Sequence, residues 1–466
     1  MRAGIGRALK FLALALALGG VAFIPARSAL LDNGPSIGPA VAGPSGAADP
    51  GRSHTGPVVS GPVQQTGPAR TGLQCTRSLN GAGTDIGVST NNIRLASTMV
   101  LTGAGSSFLS ASPTAMNAVI RSVSQVGGIC GRLPTLTLVD DKWERPTGLQ
   151  DIKIFIKEGY FALPVVPSSE GLTAAIESGD IERAGIPVVG SDGMLRQQYD
   201  TGLSHWVYPV ATATVSTMRV MAKYGYSKGA RCFGIVYDSR YKFGAEGADA
   251  YRTYVKSLPG ARMCADVGIY PQRASYSSEI NQFNTACAHK CDMVAMLLEP
   301  QTALTWVAGN PQFGTIITSG AQTLFNEQFA SNCKAACAGM LVWTGYNPPI
   351  GNLAGLPDVA EYVREMHKND PTIDVTNQFL EGAYLGMKVF MEAVRLCGPN
   401  LTRARLQQVL ESHAFKSDIV GNALRWSRTE KHANRSAQAF SISVAQGAFA
   451  GFKNEQTGFI PDPALG

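Results

Sequence analysis

Two polar segments that follow apolar runs contain the residues best suited to bind a small anion. Ser168 and Ser169 follow the apolar run at residues 161–166, and Gly190-Ser191-Asp192 follows the run at residues 186–189. If both runs are parallel strands, these groups lie at the carboxyl end of one sheet, where ligands bind. The pattern therefore predicts a small-anion pocket. A second interpretation is that Ser168 and Ser169 only cap the helix that follows them.

The motifs of common enzyme classes are missing from the sequence. Gly103-Ala104-Gly105 lacks the third glycine of a dinucleotide-binding loop, because Phe108 stands in its place. Ser191 is not a nucleophile elbow, since Val189 occupies the first glycine position. Asp140-Asp141 end a predicted strand and point to opposite faces, which favours a role in orienting a turn over acid–base catalysis. The six histidines are scattered. We predict a protein that is not an enzyme and uses no cofactor or metal.

The amino-terminal segment resembles a secretory signal. At residues 1–28, basic residues precede an apolar run at residues 11–25, and small residues stand at positions 26 and 28. The whole chain of 466 residues carries 40 basic and 34 acidic side chains. Cleavage after residue 28 removes four basic residues and leaves a net charge of +2, which gives no electrostatic case for nucleic-acid binding. We expect an exported protein.

Residues 29–84 are predicted to be a disordered tether. The segment 32–74 holds nine glycines and seven prolines in 43 positions, too little apolar surface to offset the entropy of ordering the chain. One interpretation is a spacer that lifts the folded body off a surface, and another is a segment without a role.

Nine cysteines in an exported chain indicate disulfides more strongly than a zinc site, because the CxxxC pairs lack histidine partners. Cys397 is left over as a buried free thiol. The expected pairs are Cys75–Cys130, Cys232–Cys264, Cys287–Cys291 and Cys333–Cys337.

Strands and helices are predicted to alternate twice along the chain. The first alternation runs from residue 93 to residue 209, and the second from residue 212 to residue 343. Each is typical of a parallel sheet covered by helices on both faces. Helices are predicted at residues 377–396 and 403–412, and short strands at 424–426, 440–444 and 449–452. Ser112 is expected to cap the helix that begins at Pro113, and Thr402 the helix at 403–412. Two sheets in series predict two lobes with a ligand cleft between them.

Several segments, in this order, resemble type I extracytoplasmic solute-binding proteins of ABC transporters, the group that includes the branched-chain amino-acid-binding proteins. The resemblance covers roughly residues 85–455. It rests on IRLASTMVLTG, QVGGICGRLPTLTLVDD, Ser168-Ser169, IPVVGSD, FGIVYDSRYKFGAEGADAY and LCGPNLTRARLQQVLES.

The resemblance implies two Rossmann-like lobes that close on a ligand. Lobe I would comprise residues 85–209 and 346–435, and lobe II residues 210–345 and 436–460. Three crossovers are expected near residues 208–211, 344–347 and 435–438. The protein would be a monomer that docks on an ABC permease.

The resemblance also implies positions for the ligand. In lobe I, the ligand carboxylate would meet Ser168 or Ser169 and the groups at Gly190, Ser191 and Asp192, beside a loop wall of Ser106, Ser107 and Phe108. In lobe II, this chain departs from the amino-acid-binding pattern. Phe243 replaces the expected tyrosine, with Tyr241 two residues earlier. Ser319-Gly320-Ala321-Gln322 stands where an acidic residue would receive an ammonium group, so Glu299 or Asp192 would have to substitute.

These features favour a protein that captures a small polar ligand, an amino acid, an amide or a small carboxylate, for an importer. A sensory protein that acts on a membrane receptor is the alternative of the same class. An exported enzyme that uses Ser169 or Asp192 and an adhesive surface protein with a Gly-Pro spacer belong to other classes. The sequence does not identify the ligand.

Overall fold

The computed structural model of the protein describes residues 85–466, except Asp192, His289, Lys290 and Gly466. The predicted signal segment and tether lie outside the described residues, as does Cys75. The described residues belong to one structural unit, Arg70–Gly466. In this part of the chain, no helix is both long and apolar enough to cross a membrane.

The first sheet, on which lobe I is built, has five parallel strands. They are β1 (Asn92–Met99), β2 (Leu133–Asp140), β3 (Leu163–Pro164), β4 (Val188–Val189) and β5 (Val207–Tyr208). Their order is β2-β1-β3-β4-β5, with β1 and β3 joined by a bridge between Leu95 and Ala162. The intervening helices are α1 (Ser106–Leu109), α2 (Ser112–Gln125), α3 (Arg145–Lys157), α4 (Ser169–Glu177) and α5 (Asp180–Ala184). This order places the carboxyl ends of β1 and β3 at a switch point, the usual ligand position in such sheets.

The second sheet, on which lobe II is built, repeats this pattern and extends it. Its strands are β6 (Cys232–Asp238), β7 (Arg262–Ile269), β8 (Met293–Leu297), β9 (Ile317–Gly320), β10 (Leu341–Thr344), β11 (Ser436–Ala445), β12 (Ala448–Asn454) and β13 (Ile460–Pro461). The order is β12-β11-β10-β9-β8-β6-β7. Strands β6 to β10 are parallel, and β11 and β12 are antiparallel to their neighbours. Its helices are α6 (Thr214–Ser227), α7 (Lys242–Ser257), α8 (Ser277–Cys287), α9 (Pro300–Ala308) and α10 (Glu327–Cys333).

Three later helices return to lobe I. They are α11 (Pro357–Asn369), α12 (Gln378–Cys397) and α13 (Arg403–Ser412). α12 packs beside α2 and against β3 and β4, and its side chains Met387 and Phe390 are fully buried in the core of lobe I. Phe379, at the start of the same helix, instead joins a core cluster that contains Phe243 and other apolar residues of lobe II. α12 therefore contributes to both lobes.

Most predicted elements are present, with three differences. Residues 424–426 form no strand, since Leu424 makes only an isolated bridge to Phe415. Ser112 is the first residue of α2, and α2 has no side-chain cap, so the predicted serine cap is wrong. α11 has no counterpart among the predicted elements. The cap predicted at Thr402 is confirmed, because its hydroxyl accepts a hydrogen bond from the Arg405 N–H.

The three predicted crossovers lie side by side. Thr212 Oγ1 donates to the carbonyl of Ser436 over 2.7 Å, which joins the first crossover to the third. Asn434 Nδ2 donates to the Gly345 carbonyl at 2.9 Å, which joins the third to the second. Three adjacent chain segments connecting two lobes form a hinge about which the lobes can rotate.

Three of the predicted disulfides are present: Cys232–Cys264, Cys287–Cys291 and Cys333–Cys337. Cys130 is also disulfide-bonded, while Cys75, its predicted partner, lies outside the described residues. Cys397 is buried and free, as predicted. The Cys232–Cys264 bond joins the amino-terminal parts of β6 and β7, away from the carboxyl ends of the strands that face the cleft.

Candidate functional site

A small cavity lies where the two lobes and the crossovers meet. Its volume of about 20 Å³ corresponds to one or two water positions. None of the lining residues is charged: Ser112, Val165, Pro167, Gly190, Met194, Ala211, Thr212, Thr217, Gln322, Gly345, Tyr346, Gln378, Phe379, Gly382 and Ala383. Carboxyl ends of β3 and β4 supply one wall, and the turn after β9 supplies the opposite one. The cavity is therefore shared by both lobes.

Two buried polar atoms of the cavity wall make no hydrogen bond within the described part of the chain. They are Ser112 Oγ from lobe I and Gln322 Oε1 from lobe II, on residues that are 1% and 4% exposed. The Gln322 amide is oriented by its Nε2, which donates to Thr214 Oγ1 at 2.7 Å. An unsatisfied buried polar atom costs roughly 1–3 kcal/mol. A ligand that hydrogen-bonds to both side chains would remove that cost and join the lobes.

Gly190 lies in the cavity wall in a conformation that only glycine adopts without strain. Its φ is +80°, and a Cβ on it would lie 2.4 Å from the Gly386 Cα of α12. The close approach lets the turn after β4 pack directly against α12. A side chain here would push this turn away from α12.

A cluster of aromatic rings fills the remainder of the space between the lobes. Phe108, Trp143 and Phe379 come from lobe I, and Tyr241 and Phe243 come from lobe II. The Trp143 ring stacks on Tyr241 with 4.2 Å between centroids and lies 5.5 Å from both Phe108 and Phe243. Phe379 packs 4.9 Å from Phe108. Since these rings are buried, the aromatic cluster forms an apolar contact between the lobes.

Buried aspartates hold the two stacked rings in place. The Asp141 Oδ1 accepts a hydrogen bond from the Trp143 N–H at 2.9 Å, and the Asp238 Oδ1 accepts one from the Tyr241 N–H at 3.2 Å. Burial raises the pKa of both carboxyl groups to about 7, although these N–H groups act in the opposite direction. Asp141 follows the last residue of β2, and Asp238 is the last residue of β6. The two lobes therefore position these rings in the same way. The prediction that Asp141 orients a turn is confirmed.

The serines predicted to bind an anion have protein neighbours in this structure. Ser169 Oγ accepts a hydrogen bond from the Trp143 Nε1 at 3.0 Å. Ser168 occupies the N-cap position of α4 but makes no side-chain cap bond. It lies beside Asp141, and no hydrogen bond of standard geometry satisfies its hydroxyl within the described residues. Ser191 Oγ donates to Gln198 Oε1 at 2.7 Å. A ligand role for these serines stays a prediction.

The other predicted ligand residues are divided between the cavity, the aromatic cluster and local structure. Gly190 and Gln322 line the cavity, and Phe108, Tyr241 and Phe243 belong to the aromatic cluster. Ser107 has a buried hydroxyl without a hydrogen bond in the described residues. Glu299 caps α9, where it accepts the N–H groups of Gln301 and Thr302. Ser319 accepts the Trp343 Nε1 over 2.8 Å, and Asp192 lies outside the described residues.

Charged side chains hold the lobes together at the rim of the aromatic cluster. Arg240 of lobe II pairs with Glu144 of lobe I at 2.5 Å, and Lys242 pairs with Glu177. The Lys242 backbone N–H also donates to Glu170 Oε1 at 2.8 Å. Exposed pairs of this kind contribute about 0–1 kcal/mol each. They connect the lobes and add little to the stability of either lobe.

Sequence reasoning missed Ser112, Trp143 and Phe379. Trp143 lies in the turn after β2, so the rule that ligand groups lie after strands applies to it. Ser112 opens α2, where a cap was the simpler explanation. Phe379 looks like one more residue of the α12 stripe. Nothing in its spacing indicates that it turns towards lobe II.

The fold and cavity together define a class: a two-lobed α/β binding protein with a hinge of three crossovers. A family model described as periplasmic binding protein matches residues 92–448, and the chain belongs to this family, whose members are binding proteins rather than enzymes. No curated protein matches the sequence significantly.

Solved structures of the same fold agree with this assignment. A fatty acid ABC transporter substrate-binding protein from Thermomonospora curvata shares 17% identity with a TM-score of 0.66, covering 81% of this chain and 94% of that one. A branched-chain amino acid ABC transporter protein from Thermus thermophilus with bound valine shares 12% identity with a TM-score of 0.67, covering 77% and 95%. An ABC transporter substrate-binding protein from Sphaerobacter thermophilus shares 16% identity with a TM-score of 0.67, covering 80% and 98%.

Proposed function

We propose that the protein is an exported solute-binding protein that captures a small polar ligand by hinge closure and delivers it to an ABC importer. One observation supports the proposal: Ser112 and Gln322, one from each lobe, both line the cavity, and each has a buried polar atom without a hydrogen bond in the described residues. A ligand bound to both atoms stabilises the closed arrangement and not the open one. That difference couples binding to closure.

Closure proceeds by rotation about the three crossovers. A molecule the size of an amino acid is larger than the cavity of about 20 Å³, so it enters while the lobes are apart. Separation breaks the stacking of Trp143 on Tyr241 and the rim pairs of Arg240 and Lys242. Closing on a molecule larger than the cavity costs free energy, and contacts of the ligand with both lobes compensate for that cost.

The chemistry of the cavity favours an uncharged amide over an amino acid. An ammonium group needs a buried carboxylate partner, and no described residue of the lining has one. Glu299, which was considered as a substitute, uses its carboxylate to cap α9. The Gln322 Nε2 donates to Thr214, and its Oε1 can only accept, so this residue suits a ligand group that donates a hydrogen bond, such as the N–H of an amide.

The remaining parts of the proposal concern the whole protein. We propose lobe boundaries at residues 85–209 plus 346–435 and 210–345 plus 436–460, a cleaved signal at residues 1–28 and a tether at 29–84. The protein acts as a monomer that docks on a permease in the membrane. Its place is the periplasm or the cell surface, as for the family of periplasmic binding proteins.

A ligand screen by thermal shift tests the proposal. A ligand at 100 times its Kd adds about 2.7 kcal/mol to the stability of the folded protein, which raises the Tm by a few degrees. The panel comprises amides, urea, small carboxylates and amino acids. Ser112→Ala should weaken the response of the Tm to the ligand. Ser275→Ala, at an exposed position of lobe II, is the matched control for this variant. No stabilisation of the wild type by any compound would contradict the proposal.

A further inference from the structure

Trp143 occupies the space between the lobes with a side chain that belongs to lobe I. The residue is 0% exposed, and its ring contacts Phe108 on one side and Tyr241 and Phe243 of lobe II on the other. Its indole N–H is bonded to Ser169, one of the two serines that the sequence assigns to the ligand. The ring therefore lies among apolar side chains while its N–H is hydrogen-bonded, as in a bound solute.

The backbone around Trp143 is constrained to keep the ring there. Trp143 has a φ of +63° and Lys142 a φ of +60°, a left-handed conformation that side chains rarely adopt. Asp141 accepts the Trp143 N–H, and the ring packs so closely on Gly105 that a Cβ there would lie 2.9 Å from it. Strained residues persist where the surrounding structure determines their position. The placement of the indole is built into the fold.

We propose that Trp143 determines the upper size of the ligand. The inference rests on the proposed function and deepens it. The indole fills the space between Phe108 and Tyr241, so a solute on which the lobes close has room only beside Ser112 and Gln322. Ligands are then small molecules, such as amides, without a ring or long side chain. Removal of the indole opens a compartment with an aromatic lining and a free Ser169 hydroxyl, which suits a ring-bearing ligand.

The test uses two matched pairs of probes on the full chain: acetamide with phenylacetamide, and acetate with phenylacetate. Binding to the wild type and to Trp143→Ala is measured by calorimetry. We expect the wild type to prefer the small member of at least one pair, and the variant to bind the ring-bearing member at least tenfold more tightly than the wild type does. Trp343→Ala is the matched control, because its indole is also buried and bonded to a serine, Ser319, but in the core of lobe II.

A second readout does not depend on a solute. Indole added to Trp143→Gly refills the vacated compartment, so we expect it to raise the Tm of this variant and to reduce its radius of gyration in small-angle scattering. Indole should leave the radius of Trp343→Gly unchanged, since that cavity does not lie between lobes. If Trp143→Gly does not fold, Trp143→Leu keeps an apolar side chain and should show the same change in ligand preference to a smaller extent.

The outcomes separate the two proposals. If the wild type binds acetamide or acetate and the folded Trp143 variants gain no affinity for the ring-bearing probe, the size limit lies elsewhere and the inference is wrong, while the proposed function remains. An equal gain in Trp343→Ala would also overturn it. If neither the wild type nor any variant binds one of these four probes, the inference is wrong, and the proposed function is decided separately by the thermal-shift screen of the whole panel.

Discussion

At the scale of single residues, neighbouring aspartates at the end of β2 are in opposite electrostatic situations. Burial raises the pKa of Asp141 to about 7. Slight burial of Asp140 acts in the same sense, but hydrogen bonds from Thr102, Leu101 and Lys142 outweigh it and lower the pKa of Asp140. Both carboxylates hold the turn that carries Trp143. Only the charge of Asp140 is stabilised by the fold.

The first prediction at this scale concerns pH. Because the folded protein binds a proton on Asp141 more tightly than the unfolded chain does, the contribution of Asp141 to the free energy of unfolding falls as the pH rises from about 4 to about 7. Asp141→Asn should therefore be more stable than the wild type at pH 8, by about 1–3 kcal/mol, and the difference should shrink at pH 5. Urea denaturation at both pH values measures this.

Asp140→Asn is the matched control, with the opposite sign. Its pKa is lowered in the folded state, so its charge stabilises the protein above the ordinary pKa and that stabilisation is lost as the pH falls. Asp140→Asn should be less stable than the wild type at pH 8. If both variants change stability in the same direction, the electrostatic assignment of Asp141 is wrong.

At the scale of elements, the disulfides in lobe II differ in the length of chain that they close. Cys232–Cys264 joins two strands across 32 positions, whereas Cys287–Cys291 spans four. On the chain-entropy estimate, Cys232→Ser/Cys264→Ser should lower the free energy of unfolding by roughly 3–4 kcal/mol, and Cys287→Ser/Cys291→Ser by about 2 kcal/mol. Chemical denaturation measures both. A larger loss for the shorter loop would contradict the estimate.

The strands and helices of both lobes could be predicted from the sequence because their signals are local. Apolar runs such as residues 161–166 and 232–237 end at turn residues, and helical stripes lie between them. The prediction of a strand at residues 424–426 was wrong because these apolar residues fill the core of lobe I, where no adjacent strand pairs with them. Propensity does not show whether a paired strand exists.

The candidate site was predicted only in part, because its geometry comes from contacts between lobes. Gly190 follows a predicted strand and was identified on that ground, whereas Gln322 was identified from the family resemblance. The stacking of Trp143 on Tyr241 joins residues from different sheets, and no local pattern encodes it. The left-handed backbone of Trp143 gives no sequence signal either, since the residue is not glycine. Sequence therefore located the edge of the sheets and not the occupant of the cleft.

At the scale of the whole molecule, the two lobes position an aromatic ring at their interface in the same way. Each ends its first or second strand with a buried aspartate that holds an aromatic ring, and the two rings meet at the interface. The crossovers that join the lobes are bonded to one another through Thr212 and Asn434. Such an arrangement allows rotation at the crossovers while each lobe moves as a unit.

The central claim is that a small solute binds between the lobes through Ser112 and Gln322. Native mass spectrometry of the full chain with the best compound of the screen tests it most directly, with Ser112→Ala and Gln322→Leu beside the wild type. The account predicts one bound solute per chain in the wild type, and a Kd at least tenfold higher in each variant, as expected for the loss of about 1.4 kcal/mol or more. Equal binding by the wild type and both variants would contradict it.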